Sequence, residues 1–170
     1  NCAYSKSLLD YLIERDSKPF FEVLRDLAER AQVDLPRPSP EAEERFRMAR
    51  KEKEDLERYM DFFQKTLWSK QGGDALHYLR NRGYSEEDIQ AMGLGCFPGK
   101  AKTLLFQGQV LERDSHPEAL SHAMKGSMDD YRIIFPYRGP NGGIRTFMGR
   151  LIREPGKDEG KYQPMGDYAG

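Results

Sequence analysis

The chain has 170 residues, with 27 Lys and Arg against 28 Asp and Glu, so its formal net charge is −1. No stretch approaches the ~18 consecutive apolar residues of a membrane-spanning helix, and 9 Phe, 9 Tyr and 1 Trp at low net charge argue against a disordered chain. The pI of about 6.4 excludes a uniformly basic nucleic-acid-binding body, whose pI would exceed about 9.

The first 35 residues read as two helices. Leu8, Leu9, Leu12 and Ile13 form a short apolar face. Ser17 is a plausible N-cap with Pro19 in the first turn. Phe20, Leu24, Leu27 and Ala31 then recur at helical spacing. Pro36, Pro38 and Pro40 cannot continue a helix, so 36–40 reads as a stiff linker and the best domain boundary. From Glu41 to about Ser69 runs a long charged helix, ~40 Å at 1.5 Å per residue. Its stripe is Phe46, Ala49, Lys53, Leu56, Met60, Phe63 and Leu67, widened by Tyr59 and Phe62. Lys53 in the seam favours a solvated face over a packed stripe rather than a coiled coil.

Gln71-Gly72-Gly73 breaks that helix. Asp74 to Arg80 starts another, with Gly83 as its left-handed C′ residue. Ser85 caps a short acidic helix that stops at Gly93. The pair reads as a packed helical hairpin, because an acidic second helix would repel phosphate in a DNA groove. Residues 97–114 read either as short strands or as a further helical region. Pro117 to Lys125 reads as a short helix stopped by Gly126.

The last third changes character. Tyr131 to Pro136 is β-branched and aromatic, and Ile144 to Ile152 is a second strand. Gly139-Pro140-Asn141-Gly142-Gly143 between them is a dense turn signal, giving a hairpin. Between Tyr131 and Arg153 there are five arginines (132, 138, 145, 150 and 153) and no acid. A polar loop from Glu154 leads to Lys161-Tyr162. Strands hold side chains in register, a guanidinium fork suits phosphate oxygens, and Tyr131, Tyr137, Phe147 and Tyr162 lie among the cations. Cations with interleaved rings are the ingredients of single-strand binding. The other reading is an exposed hairpin whose arginines pair with acids of the long helix.

Other signals are weaker. His77 reads as a core or semi-buried side chain, and His116 and His122 as exposed. None has a spacing that makes a metal site. There is no Walker A sequence, and no set of carboxylates reads as a magnesium site. Cys2 and Cys96, far apart, form no disulfide framework and fit a reduced, cytoplasmic setting. Cys96 reads as a small core hydrophobe. The chain begins at Asn1 and ends at Gly170, and reads as a segment of a longer protein.

Three stretches carry a resemblance. Phe20-Phe21-Glu22-Val23-Leu24-Arg25-Asp26-Leu27-Ala28-Glu29-Arg30-Ala31, running to Leu35-Pro36, resembles the helix closing the zinc-binding domain of bacterial DnaG-type DNA primases. Ala75-Leu76-His77-Tyr78-Leu79-Arg80-Asn81-Arg82-Gly83-Tyr84 resembles that family's YLxxRGL helix. Arg132-Ile133-Ile134-Phe135-Pro136 with Gly149-Arg150 and Lys161-Tyr162 is similar to RIIFPI…G…FGGR…KYLN. Residues 97–125 match poorly. Gln163-Pro164 lacks the Asn that follows Lys-Tyr-x, Met148 replaces one glycine of FGGR, and Leu94 to Lys100 matches the family's turn loosely. These departures fit a phage- or plasmid-type primase or a primase–helicase as well as a chromosomal one.

The resemblance implies an α+β chain. Residues 1–35 would be the helical remnant of a zinc-binding domain and 36–40 the linker. Residues 41–170 would be the N-terminal subdomain of the RNA polymerase domain, helix-rich with a small antiparallel sheet. It implies that Arg82, Arg132, Arg150, Lys161 and Tyr162 form a basic ridge for single-stranded DNA template and RNA–DNA hybrid. Cys2 falls on the last of four zinc ligands. The Glu and Asp-x-Asp acids of the magnesium-binding Toprim subdomain fall outside the chain. No catalytic residue, and no bound zinc or magnesium, is therefore expected in this segment. The parent would be a nucleotidyltransferase making RNA primers from nucleoside triphosphates, beside a replicative helicase and away from membranes. The alternative function is a non-catalytic protein-interaction module of a replication protein, using the helix over 41–69.

Overall fold

The computed structural model describes residues 7–16, 18–36, 38–110, 118–125, 128–140 and 142–166. The expectations at Cys2, Ser17, His116, Pro117, Gly126 and Asn141 fall outside these residues. The chain divides into two units, Asn1–Glu44 and Arg45–Gly170.

The first unit holds α1 (Leu8–Asp16) and α2 (Phe20–Ala31). Ser7 and Asp10 cap α1 reciprocally: each side chain accepts the other's backbone N–H at 3.1 Å. Pro19 is the N-cap of α2 rather than a first-turn residue, and its carbonyl accepts from Glu22 and Val23. Gln32 ends α2 in the left-handed region. The buried residues of α2 are Val23 and Ala28, whereas Phe20 and Ala31 of the expected stripe are exposed. Phe20 instead meets the ring of Phe21 edge-on at 5.2 Å.

α3 (Pro40–Leu67) is the long charged helix. Its packed stripe begins at Asp55 and Leu56 and runs through Tyr59, Met60, Phe63, Thr66 and Leu67. Phe46, Ala49 and Lys53, in the charged first half, stay exposed. A 3₁₀ turn (Lys70–Gly72) leads into α4 (Gly73–Asn81) and α5 (Glu86–Ala91). Gly83, at φ +88°, closes α4. Its N–H bonds the Arg80 carbonyl and that of Tyr84 bonds Leu79, a Schellman pair. Ser85 and Asp88 form a capping box on α5. Leu76 and Leu79 of α4 share a core with Ile89 of α5, so the pair is a packed hairpin.

The sheet has the order β1 (Gly95–Cys96), β2 (Ile133–Arg138), β3 (Ile144–Arg150), β4 (Tyr162–Pro164), antiparallel throughout. β2 and β3 are the expected hairpin, starting two residues later and ending two earlier than the sequence suggested. β1 and β4 were not anticipated. Between them lie α6 (Lys100–Val110), which resolves the ambiguous stretch as helix up to Val110, a 3₁₀ turn (Glu118–Leu120) and α7 (Ser121–Lys125).

Successive strand residues point to opposite faces, and β2 shows the consequence. Ile134 joins Leu56, Tyr59, Met60 and Phe63 of α3, with Phe97 and Phe147, in the larger core. Ile133 joins Leu67, Leu76, Leu79, Ile89 and Cys96 in the smaller one. The sheet thus carries α3 on one face and the α4–α5 hairpin on the other.

Candidate nucleic-acid interface

The strand register determines which side chains meet. Arg150 of β3 pairs with Ile133 on one side and Tyr162 on the other, so Arg150 and Tyr162 share a face. Ile133 is buried beneath α4, which brings Tyr78 of that helix over the same spot. Arg150 donates from Nε and Nη2 to the Tyr78 hydroxyl at 3.2 and 2.9 Å, and from Nη1 to the Tyr162 hydroxyl. Its guanidinium carbon lies 5.6 Å from the Tyr78 ring centre and 4.7 Å from that of Tyr162. Arg82, one helical turn after Tyr78, places its guanidinium 5.3 Å from the same Tyr78 ring.

A cleft of about 160 Å³ opens here, lined by Tyr78, Arg82, Tyr84, Phe135, Arg150 and Tyr162. Leu79, Met92 and Leu94 complete the lining, and no carboxylate is among these residues. Burial pushes the Tyr78 phenol up, but the hydrogen bonds and charges of Arg150 and Arg82 outweigh it and leave the phenol below its ordinary value. Neither Arg82 nor Arg150 has an ion-pair partner among the described residues. A more open groove of about 490 Å³ between α3 and α5, lined by Asp61, Gln64, Lys65 and Trp68 among others, holds no guanidinium.

The hairpin arginines have separate fates. Arg138 donates to Glu57 of α3 at 2.8 Å, as the bland reading of the hairpin anticipates. Arg153 is clamped by Asp130 and Glu159 at 2.9 and 2.6 Å. Arg145 is exposed. Arg132 turns to the backbone carbonyl of Gln71, and its Nε is buried without a hydrogen-bond partner among the described residues. Lys161 is exposed and its carbonyl accepts from Leu151. Of the five expected ridge residues, the structure therefore gathers Arg82, Arg150 and Tyr162 in one cleft; Arg132 and Lys161 do not line it.

Sequence reasoning missed Tyr78 and Tyr84 as site residues. The i, i+4 spacing of Tyr78 and Arg82 was the available signal for the first. His77 is exposed, not core: as Tyr78's neighbour it points away and meets Asn81 at 2.9 Å. His122 is half-buried rather than exposed. Cys96 is fully buried, and burial raises its thiol to about 11. Among the described residues no three His, Cys, Asp or Glu converge as metal ligands, so no zinc or magnesium chemistry is assigned to them. No helix among them is long and apolar enough to cross a membrane.

An acid-free cleft of arginines and rings on a small antiparallel sheet, backed by a long helix, is the arrangement to compare with known proteins. Residues 62–164 match the family described as DNA primase catalytic core, N-terminal domain. The chain belongs to that family, as its resemblance to bacterial DnaG-type primases implied. It is 30% identical to the DNA primase of Myxococcus xanthus over 167 residues, covering 94% of this chain and 27% of that protein. It spans about a quarter of the length of the curated relatives it matches. The Aquifex aeolicus primase, solved with its zinc-binding and RNA polymerase domains, superposes with a TM-score of 0.52 at 21% identity, over 96% of this chain and 40% of that one. The DnaG primase catalytic domain bound to ssDNA gives a TM-score of 0.52 at 22% identity, over 72% of this chain and 39% of that one. At such identities the structural likeness establishes the α+β fold.

Proposed function

We propose that this chain is the template-handling part of a DNA primase, and that the Tyr78–Arg82–Arg150–Tyr162 cleft is where single-stranded DNA or an RNA–DNA hybrid is gripped. The observation that carries this is the holding of Arg150. A guanidinium has five N–H donors. Three of them bind the two tyrosine hydroxyls. One remains on each terminal nitrogen, a fork held in place for a phosphate. Arg82 adds a second uncompensated cation, and exposed Lys161 and half-buried Arg132, each one residue before a strand, would extend the track at that end of the sheet. A DnaG primase catalytic domain that shares this fold was solved bound to ssDNA, which supports single-stranded DNA as the partner.

In this reading residues 1–35 are the tail of a zinc-binding domain, with Cys2 one of its ligands, 36–40 the linker and 41–170 the polymerase-domain subdomain. The parent is a nucleotidyltransferase that makes RNA primers in a bacterial or phage replication complex of the cytoplasm. Its magnesium, its nucleoside triphosphates and its helicase are handled elsewhere in the parent, so the 170 residues alone synthesise no primer.

The test is a titration of a labelled oligonucleotide at two salt concentrations. Binding should weaken steeply with salt, by roughly 0.7 log units per log unit of salt for each phosphate contacted, and should be sequence-tolerant. Absence of binding at low salt would sink the proposal.

A further inference from the structure

Four rings line the cleft, and three of them are already occupied. Tyr78 lies against both guanidinium groups, Tyr162 holds Arg150, and Phe135 meets Tyr162 edge-on at 6.2 Å. Tyr84 has no ring, cation or side-chain hydrogen-bond partner among the described residues. It is 43% exposed, at the mouth of the cleft beside Met92 at 41%. Its backbone is nonetheless fixed from both sides: the Schellman turn at Gly83 ties its N–H to Leu79, and the Ser85 capping box follows at once. A free ring on a rigid mount, next to two uncompensated arginines, is a stacking platform beside a phosphate site.

The space also limits the occupant. Pockets for whole drug-sized ligands run to about 300–1,000 Å³, so a cleft of about 160 Å³ holds a single planar ring system. A free nucleoside triphosphate would bring a divalent cation that seeks carboxylates, and the cleft has none.

We infer that Tyr84 stacks on one unpaired base of the bound strand, seating that base in the cleft while Arg150 and Arg82 hold the adjoining phosphates. This rests on the template-binding reading above and adds a base contact to it. The experiment compares an oligothymidylate with the same strand carrying abasic residues, each titrated against the 170-residue chain and its Tyr84→Leu and Tyr84→Trp variants. Tyr84→Leu should lower affinity for the base-bearing strand about fivefold, the lower end of what one base–aromatic stack contributes. It should leave the abasic strand and the salt slope unchanged, and Tyr84→Trp should restore binding. Equal loss on both strands, or no loss on the base-bearing one, overturns the inference. Displacement of the strand by free ATP from the unsubstituted chain but not from Tyr84→Leu would put a free nucleotide in the cleft and overturn it too. If neither strand binds the unsubstituted chain at low salt, the template-binding reading falls together with this one.

Discussion

Arg150 on β3 and Tyr78 on α4 are joined by two hydrogen bonds to a single phenolic oxygen, at 3.2 Å from Nε and 2.9 Å from Nη2. This link ties the sheet to the helical hairpin, and it also perturbs the phenol. Burial raises the Tyr78 value, but Arg150 and Arg82 lower it further than that. A phenol depressed in the folded state contributes stability that is present above its unfolded value near 10 and lost as pH falls through its folded value. Burial acts the other way at Tyr59 and Tyr131, whose values are raised. An alkaline absorbance titration should therefore show the Tyr78 phenol ionising ahead of those of Tyr59 and Tyr131. That early step should vanish in Tyr78→Phe and move to higher pH in Arg150→Ala. A titration curve unaltered by Tyr78→Phe would contradict the link.

The hairpin arginines should divide into two functional groups. Arg138 is an exposed ion pair with Glu57, and such pairs contribute only about 0–1 kcal/mol. Arg138→Ala removes a cation already neutralised, so affinity for single-stranded DNA should stay within about twofold. Arg150→Ala removes an uncompensated one. It should weaken binding clearly at low salt and reduce the salt slope by roughly 0.7, one phosphate contact. Equal effects from the two substitutions would mean that the strand reads total charge rather than the cleft.

Elements whose ends are set by local chemistry were legible in the sequence. Gly83 and Gly93 stop α4 and α5 in positive-φ conformations, and Ser85 and Asp88 start α5. The hairpin declared itself through its turn residues and β-branched runs. β1 and β4 are two and three residues long, and they are strands only because Gly95–Cys96 and Tyr162–Pro164 find partners on β2 and β3. α6 defeated periodicity because its burial inverts polarity: Thr103 and Gln107 are buried while Leu104 and Leu105 are exposed. For the site, the sequence supplied the arginines. It could not supply the register that pairs Arg150 with Tyr162, and so Tyr78, brought there by tertiary packing, was passed over.

The segment carrying Tyr84 depends on the cap that follows it. The Ser85 hydroxyl accepts from the Asp88 N–H at 3.1 Å, and the Asp88 carboxylate accepts from the Ser85 N–H at 3.0 Å. Ser85→Ala breaks the first bond and should cost about 1 kcal/mol of stability, read as a lower urea midpoint at unchanged slope. Asp88 is held below its ordinary value by the Ser85 hydroxyl first and its backbone N–H second. The capping contribution is therefore present above the unfolded value near 3.9 and lost as pH falls through the folded one. The stability difference between Ser85→Ala and the unsubstituted chain should shrink in strong acid; a difference constant with pH would remove Asp88 from the account.

Gly95 gives the sharpest test of how β1 sits against α3. A Cβ there would lie 2.6 Å from Phe63 Cβ, 2.8 Å from Met60 Cε and 3.0 Å from the Phe63 carbonyl carbon. The Met60 methyl is the end of a flexible chain and can swing aside. Phe63 cannot: it is fully buried, with Phe97 at 6.0 Å and Phe147 at 5.6 Å, both edge-on. Gly95→Ala should therefore cost about 1–3 kcal/mol through overpacking. Adding Met60→Ala should not recover that loss, because the decisive contact is with Phe63. Gly73 is the contrast, since a Cβ there meets nothing within 4 Å, at the first residue of α4 with φ −53°. Gly73→Ala should be stabilising by about 0.4–1 kcal/mol through the unfolded chain. Equal midpoint shifts for the two glycines in urea would mean that β1 does not rest on α3 as closely as these distances require.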